Sequence, residues 1–300
     1  MKIKMNTNVI NAIFILSAIV GNCWAGCCSA SKPREEIKPD PVETVLKQLR
    51  EKTAKLKSYE CPVEYEVNQP AFESKTLRKG TLYYNKAGKD SALRINFKTF
   101  QQDDEEEEKY IDEYVINGNW LAKVDYKFDG VWLTHIDHQL KTIQCHQLAE
   151  PNDPNRSMDP FDLVTQNFPI VGFSKVENLK KEFEIKLVEQ KGPDAQKSIQ
   201  VHLKVKPDSV YKDEYTTIDF WVDKELGLPA RIVAIATAED ADLQPDIYEL
   251  RFVKPKINKK IDKKVFGIKI PKGFGKPEIF PLKKAEDAED PRPRTNDRIL

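Results

Sequence analysis

A two-residue alternation of apolar and polar side chains runs through most of this chain and limits its fold more than any other feature. Apolar residues occupy every second position in Leu93–Lys98, in Ile199–Val205 and in Ile218–Val222. Successive side chains of a β-strand point to opposite faces of the sheet, so this period is typical of strands with one buried face. The sequence therefore predicts a protein built mainly from strands.

About ten to twelve such segments follow one another from residue 59 onward, and short turns join most of them. They include a segment at Trp120–Tyr126 and a last short one at Val265–Ile270. Many short strands with short connections are typical of a large antiparallel sheet, a sandwich or a barrel. We expect a mainly β (α+β) fold.

One amphipathic helix is predicted ahead of the strands, over residues 41–57. Asp40 is suited to the N-cap, and Pro41 is suited to the first helical position. Apolar residues recur at helical spacing on one stripe: Val42, Val45, Leu46, Leu49 and Leu56. The helix should lay this stripe on another part of the fold.

Two segments interrupt the strand pattern. Residues 101–108 form an acidic run, which we interpret as a solvated hairpin loop, because contiguous carboxylates lack the spacing of a calcium-binding loop. Asp159–Val164 and Ser174–Phe183 have the pattern of short helices inserted into the β chain.

The N-terminus has the pattern of a bacterial export signal. Lys2 and Lys4 precede an uncharged stretch, Val9–Val20, and a run of small residues follows it. The apolar stretch is shorter than the roughly 20 residues that a bilayer-spanning helix needs, which favours a cleaved signal over a retained anchor. We therefore predict an exported, periplasmic protein with a signal peptide over residues 1–25, or to residue 30 at most.

Two routes of cleavage stay open. Cleavage after Ala25 or Ala30 would release a soluble protein. Cleavage before Cys27 would leave that cysteine for lipidation and anchor the protein to a membrane, since Ala25, Gly26 and Cys27 fit the last three places of a lipobox. Residues 31–40 are polar and resemble a tether. A single domain is expected over 41–282, with a disordered charged tail over 283–300.

Charge and chemistry exclude several functional classes. The chain has 48 basic and 48 acidic side chains, so no net field favours the binding of nucleic acid. We also expect a monomer. It carries no nucleophile elbow, phosphate loop or dinucleotide fingerprint, and we predict no enzyme, no catalytic residue and no cofactor.

Histidines and cysteines give no metal site. His135 and His138 fall on opposite faces of a regular strand, as do Cys145 and His146, so a zinc set does not converge. Outside the signal region the chain keeps Cys61 and Cys145, and an exported protein permits a disulfide between them. Whether they pair depends on their separation in the fold, which stays open.

Several weak motifs occur in a consistent order along the chain. In the later half they are Tyr215–Asp223 (YTTIDFWVD), Leu228–Val233 (LPARIV), Asn258–Phe266 (NKKIDKKVF) and Ile270–Phe274 (IPKGF). In the front half they are Leu56–Tyr59, Lys79–Lys86 and Val115–Gly118, with Pro160–Phe183 as an inserted helical region. In this order the segments resemble the LolA/LolB-like family of outer-membrane lipoprotein-sorting proteins.

The resemblance implies an unclosed antiparallel β-barrel whose N-terminal helix and inserted helices form a lid over an apolar cavity. In carriers of this family, acyl chains of a lipoprotein enter the cavity. The family has an arginine that helps to latch the lid, and Lys86 stands at the matching position. Lysine lacks the planar fork of arginine for bidentate hydrogen bonds.

The leading hypothesis is a periplasmic carrier of lipoprotein acyl chains or another hydrophobic ligand, with envelope membrane proteins as further partners. The alternatives are an envelope sensor that binds without transport and a structural envelope protein with a filled core. Alternation selects these candidates for the apolar lining, which could equally be plain core: Leu46, Leu49, Leu93, Ile95, Phe97, Ile218, Phe220 and Val222.

Overall fold

A computed structural model describes residues 40–87, 90–103, 105–116, 130–150, 176–192, 194–238 and 243–282. The predicted signal segment, most of the tether, the strand at Trp120–Tyr126, the helix at Asp159–Val164 and the tail lie outside the described residues. No helix in these ranges combines the length and the apolar character needed to cross a membrane.

Helix α1 (Pro41–Ala54) opens the described chain and is followed mainly by strands. The strands are β1 (Ser58–Gln69), β2 (Ser74–Ala87), β3 (Asp90–Gln102), β4 (Glu108–Ile116), β5 (Val131–Asp137), β6 (Thr142–Ala149), β7 (Phe183–Val188), β8 (Ser198–Val205), β9 (Tyr215–Asp223), β10 (Pro229–Ala236), β11 (Ile247–Phe252), β12 (Lys256–Ile257) and β13 (Glu278–Phe280). Two further helices are α2 (Val176–Glu182) and α3 (Asp194–Lys197), and 3-10 turns occur at Pro70–Phe72 and Lys263–Phe266.

All thirteen strands belong to one sheet. Its order is β13-β6-β5-β4-β3-β2-β1-β11-β10-β9-β8-β7, and β12 pairs with β1 beside β11. Neighbouring strands are antiparallel except β13, which runs parallel to β6. Strands β13 and β7 are the two ends of the sheet among the described residues. The mainly β, unclosed antiparallel architecture with an N-terminal helix is therefore confirmed.

The start of α1 follows from its first residues. The Asp40 carboxylate accepts a hydrogen bond from the backbone N–H of Val42 at 3.0 Å, which satisfies one of the free donors at the helix N-terminus. Pro41 stands at the first helical position, as predicted. The helix ends at Ala54, three residues earlier than predicted, and the stripe residues Val45, Leu46 and Leu49 within it are buried.

One predicted strand is wrong. Val265–Ile270 alternates like a strand, but Lys263–Phe266 is a 3-10 turn whose first N–H groups are capped by Asp262, with Oδ1 accepting from Lys264 N at 2.9 Å. The Arg94 guanidinium donates to the carbonyls of Val265 and Gly267 at 2.9 and 3.0 Å. These carbonyls are therefore occupied by a side chain and not by a neighbouring strand.

The boundary of the second predicted inserted helix is nearly correct. Ser174–Phe183 was predicted, α2 covers Val176–Glu182, and Phe183 begins β7. The acidic run lies between β3 and β4, and its described residues from Asp103 to Glu108 are exposed. This agrees with a solvated hairpin loop.

A glycine marks the closest approach of two strands. The register of β2 against β3 shifts between Lys79 and Gly80, and Gly80 pairs with Phe97. A β-carbon added at Gly80 would lie 2.2 Å from the Asn96 carbonyl oxygen and 2.9 Å from the Phe97 Cα. Both are backbone atoms, so neither can rotate away.

We expect Gly80→Ala to lower the free energy of unfolding by about 3 kcal/mol, because the strands must separate to admit the methyl group. Urea denaturation followed by circular dichroism measures the loss. Gly275→Ala is the matched control, since nothing lies within 4 Å of a β-carbon there, and it should change stability by less than about 0.5 kcal/mol. Equal stability of the two variants would contradict the close approach at Gly80.

Candidate functional site

The eight predicted lining residues come together in the structure. Each is at most 4% exposed, and all belong to one apolar cluster. Leu46 and Leu49 reach this cluster from α1, while the other six reach it from alternate positions of β3 and β9. The alternation therefore identified the inner face of the sheet.

The position of these strands in the sheet shows how far the apolar inner face extends. Strands β2, β1, β11 and β10 separate β3 from β9, yet side chains of β3 and β9 share one cluster. One continuous apolar cluster therefore covers the inner face from β3 to β9. Leu46 and Leu49 of α1 belong to this cluster, so α1 packs on the inner face.

Large aromatic side chains fill this interior and were not among the predicted lining. Tyr59, Tyr84 and Phe183 are at most 2% exposed and belong to the same cluster. Tyr84 follows Leu82 at the two-residue period, so the alternation that selected Leu93 could have selected Tyr84 as well. Burial raises the pKa of the Tyr59 hydroxyl well above its usual value, which keeps it neutral.

Helix α1 is held at both ends by contacts outside its apolar face. Near its start, Glu43 forms an exposed ion pair with Lys180 of α2, which lowers the pKa of the Glu43 carboxyl. Near its end, Lys52 lies against the turn between β9 and β10, where a β-carbon on Gly227 would be 2.9 Å from Lys52 Cγ. The helix also contacts β7, the end strand of the sheet.

A second site is a lysine-lined pocket of about 880 Å³ at the surface. Its lining consists of Lys57, Ser58, Asn85, Lys86, Asn258, Lys259, Lys260, Ile261, Asp262 and Lys263. Five of these ten residues are lysines and one is acidic. Lys86, the predicted latch residue, is exposed and lies here at the end of β2.

Backbone pairing assembles this lysine-lined pocket from three parts of the chain. Strand β1 pairs Ser58 with Asn85 of β2 and Tyr59 with Ile257 of β12. The Lys86 N–H donates to the Lys57 carbonyl at 2.8 Å. Sequence reasoning missed the pocket because the pairing of β12 with β1 brings together residues about 200 positions apart.

Three of the four histidines lie against carboxylates, and the ring of the fourth, His146, stacks on Phe280 with 4.6 Å between the ring centroids. His135 Nε2 lies 2.7 Å from Asp112 Oδ1, and His202 Nδ1 lies 3.1 Å from Asp219 Oδ1. His138 Nε2 lies 3.2 Å from a Glu113 oxygen. Within the described ranges, no group of three or more histidine, cysteine, aspartate or glutamate side chains could hold a metal ion.

The two cysteines whose pairing the sequence leaves open are free thiols on different strands. Cys61 lies on β1 and Cys145 on β6, with four strands between them in the sheet. Both side chains are fully buried. Burial raises the pKa of the Cys61 thiol to about 11 and also raises that of Cys145. Cys27, which one of the two cleavage routes would leave for lipidation, lies outside the described residues.

We expect Cys61 and Cys145 to resist alkylation in the native protein. The thiolate is the reactive form, and at neutral pH a thiol with a pKa of about 11 is almost entirely protonated. Iodoacetamide labelling read by peptide mass spectrometry should show neither residue modified natively and both modified in denaturant. If both cysteines stay unmodified in denaturant and become modified only after a reductant is added, they form a disulfide.

The comparisons with known proteins give matches to solved structures alone. No protein-family model matches the sequence, and no curated protein matches it. A DUF1329 family protein from Desulfovibrio piger is 10% identical, with 76% of this chain and 97% of that chain covered and a TM-score of 0.38. The MucA/MucB complex of Pseudomonas aeruginosa is 12% identical, with 76% and 61% covered and a TM-score of 0.40.

A LolA superfamily protein from Nitrosomonas europaea is 12% identical, with 76% of this chain and 97% of that chain covered and a TM-score of 0.30. This chain spans less than two thirds of the MucB structure. The name of the Nitrosomonas europaea protein is that of the family which the sequence motifs resemble. With TM-scores below 0.5, these likenesses assign neither a ligand nor a partner to this chain.

Proposed function

We propose that the protein is an exported binding protein that holds a hydrophobic ligand, such as the acyl chains of a lipid or lipoprotein, on the apolar inner face of its sheet beneath α1. The observation that carries the proposal is the shared cluster of α1, β3 and β9. A helix laid on an apolar face covers a surface that an acyl chain could also cover. The export pattern of residues 1–25 would place this surface outside the cytoplasm.

The energetics suit a carrier that opens. Burying an acyl chain contributes about 0.8 kcal/mol per CH₂ group, so a long chain could replace the contacts that α1 makes with the sheet. Because the lining side chains are already buried, uptake requires α1 to move away. The exposed ion pair between Glu43 of α1 and Lys180 opposes that motion weakly, since exposed ion pairs contribute little to stability.

A second candidate is a structural envelope protein with a filled interior. The fully buried aromatic side chains Tyr59, Tyr84, Phe97, Phe183 and Phe220 favour it, because they already fill much of the space between α1 and the sheet. In this candidate α1 is a permanent part of the core and never opens.

Lipid extraction distinguishes the two candidates. The full-length protein is expressed with its own signal, purified from the envelope fraction, and extracted for mass spectrometry of bound acyl chains. Titration with a fluorescent fatty acid then measures binding directly. We expect bound acyl chains and saturable binding. If neither is found, the binding function is wrong and the filled interior is favoured.

A further inference from the structure

We propose that the lysine-lined pocket binds a phosphate-bearing anion. The pocket lies at the surface and the proposed function uses the buried apolar face, so the two proposals are tested by different measurements. The charge of the pocket, the rigidity of its frame and its size support this assignment.

The charge of the pocket is strongly positive and unneutralised. Lys57, Lys86, Lys259, Lys260 and Lys263 are all exposed, and within the described part of the chain none of their ammonium groups has a carboxylate partner. By contrast, Lys256, two positions before Asn258, pairs with Glu60 at 2.8 Å. Five ammonium groups around one opening create a site that attracts anions.

The single acidic residue of the pocket does not cancel this charge. One oxygen of the Asp262 carboxylate accepts a hydrogen bond from the Lys264 N–H at 2.9 Å, where it caps the 3-10 turn. One carboxylate against five ammonium groups leaves the pocket with a net charge of about +4.

The frame that carries the lysines is fixed at both ends. On one side, Asn258 adopts a left-handed backbone with φ of 54°, and its Oδ1 accepts from the Lys57 N–H at 2.7 Å. The Ser58 hydroxyl donates to the Lys259 carbonyl. On the other side, Phe266 is buried and Arg94 holds the Val265 and Gly267 carbonyls. The lysine-bearing loop is therefore pre-organised, which lowers the entropy cost of binding.

The chemistry of the pocket favours a phosphate group. Lysine ammonium groups bind phosphate as point charges with three donors each, and several can converge on one dianion. A volume of about 880 Å³ accommodates a group larger than phosphate alone, such as a phospholipid headgroup or a pyrophosphate. The lining contains no aromatic side chain on which a nucleic-acid base could stack.

The same chemistry could come from a membrane or from solution, and two probes separate these sources. One is inorganic pyrophosphate, measured by isothermal titration calorimetry. The other is a vesicle of equal parts phosphatidylcholine and phosphatidylglycerol, measured by co-sedimentation, with pure phosphatidylcholine vesicles as the uncharged reference. Added salt should weaken both interactions, because exposed charges are screened within about 8 Å at physiological ionic strength.

The test variant is Lys259→Gln/Lys260→Gln/Lys263→Gln in the full-length protein. Its matched control is Lys186→Gln/Lys191→Gln/Lys212→Gln, which removes three exposed lysines outside the pocket and the same charge. Substitutions at exposed positions like these leave stability nearly unchanged, so circular dichroism should show both variants folded.

We expect the pocket variant to lose affinity about fivefold per lysine, hence about a hundredfold in all, while the control keeps wild-type affinity. If the pocket variant loses affinity only for the vesicles, the ligand is a lipid headgroup. If it loses affinity only for pyrophosphate, the ligand is a soluble phosphate. Either result supports the proposal. Equal loss in both variants would show a diffuse surface charge and overturn it. So would a wild-type protein that binds neither probe.

Discussion

A disulfide between Lys52→Cys and Gly227→Cys should abolish uptake of a fluorescent fatty acid when it is oxidised and restore uptake when it is reduced. The reason is geometric. Under the proposed function, α1 must swing away from the sheet, and it is joined to β1 through residues 55–57. A second covalent link one helical turn earlier fixes the direction of the helix axis, so that the helix cannot lift.

The site suits such a link. A β-carbon on Gly227 would lie 2.9 Å from Lys52 Cγ, the atom bonded to Lys52 Cβ. This is compatible with the roughly 3.8 Å between β-carbons of a disulfide. Gly227 has φ of 66°, so the cysteine there adopts a left-handed backbone at a cost of about 1–2 kcal/mol, which the oxidised link offsets.

The reduced form of the same variant is the control, since it carries the same two substitutions. Cys23, Cys27 and Cys28 are replaced by serine in this background, so that they cannot pair with the new cysteines. Uptake by the oxidised protein equal to that of the reduced protein would place the ligand elsewhere than beneath α1. Failure of both forms and of the wild type would contradict the binding function itself.

The inner face of the sheet could be predicted because the side-chain period of a strand is fixed. Once Leu93 faces inward, Ile95 and Phe97 must do the same, and the structure buries all three. The same reasoning holds for Ile218, Phe220 and Val222 on β9. The N-cap at Asp40 was predictable for a similar reason, because capping depends on residues adjacent in sequence.

The arrangement of distant segments could not be predicted in this way. Val265–Ile270 has the period of a strand, and only the contact of Arg94 with its carbonyls, from 171 positions away, shows why it is not one. The lysines at 259, 260 and 263 are visible in the sequence as a basic stretch. That Lys57 and Lys86 join them depends on the pairing of β1 with both β2 and β12.

The second large effect is expected for Phe220→Ala, which should lower the free energy of unfolding by about 3–5 kcal/mol. Phe220 is 0% exposed and stands between Val201 of β8 and Ile232 of β10, on the third strand from the β7 end of the sheet. Both partners are themselves buried in the same cluster, so they have little freedom to close the gap. Urea denaturation followed by tryptophan fluorescence measures the loss.

Phe72→Ala is the matched control, because Phe72 is 75% exposed and the same atoms are removed from a surface turn. It should change stability by less than about 0.5 kcal/mol. Repeating both measurements with a long-chain fatty acid links stability to function, since a ligand that binds only the folded state stabilises it. If the fatty acid raises the free energy of unfolding of both Phe220→Ala and the wild type, the interior accepts acyl chains. If Phe220→Ala shows the full loss of stability and the fatty acid stabilises neither protein, the core is permanently filled, and α1 and the sheet stay packed against each other.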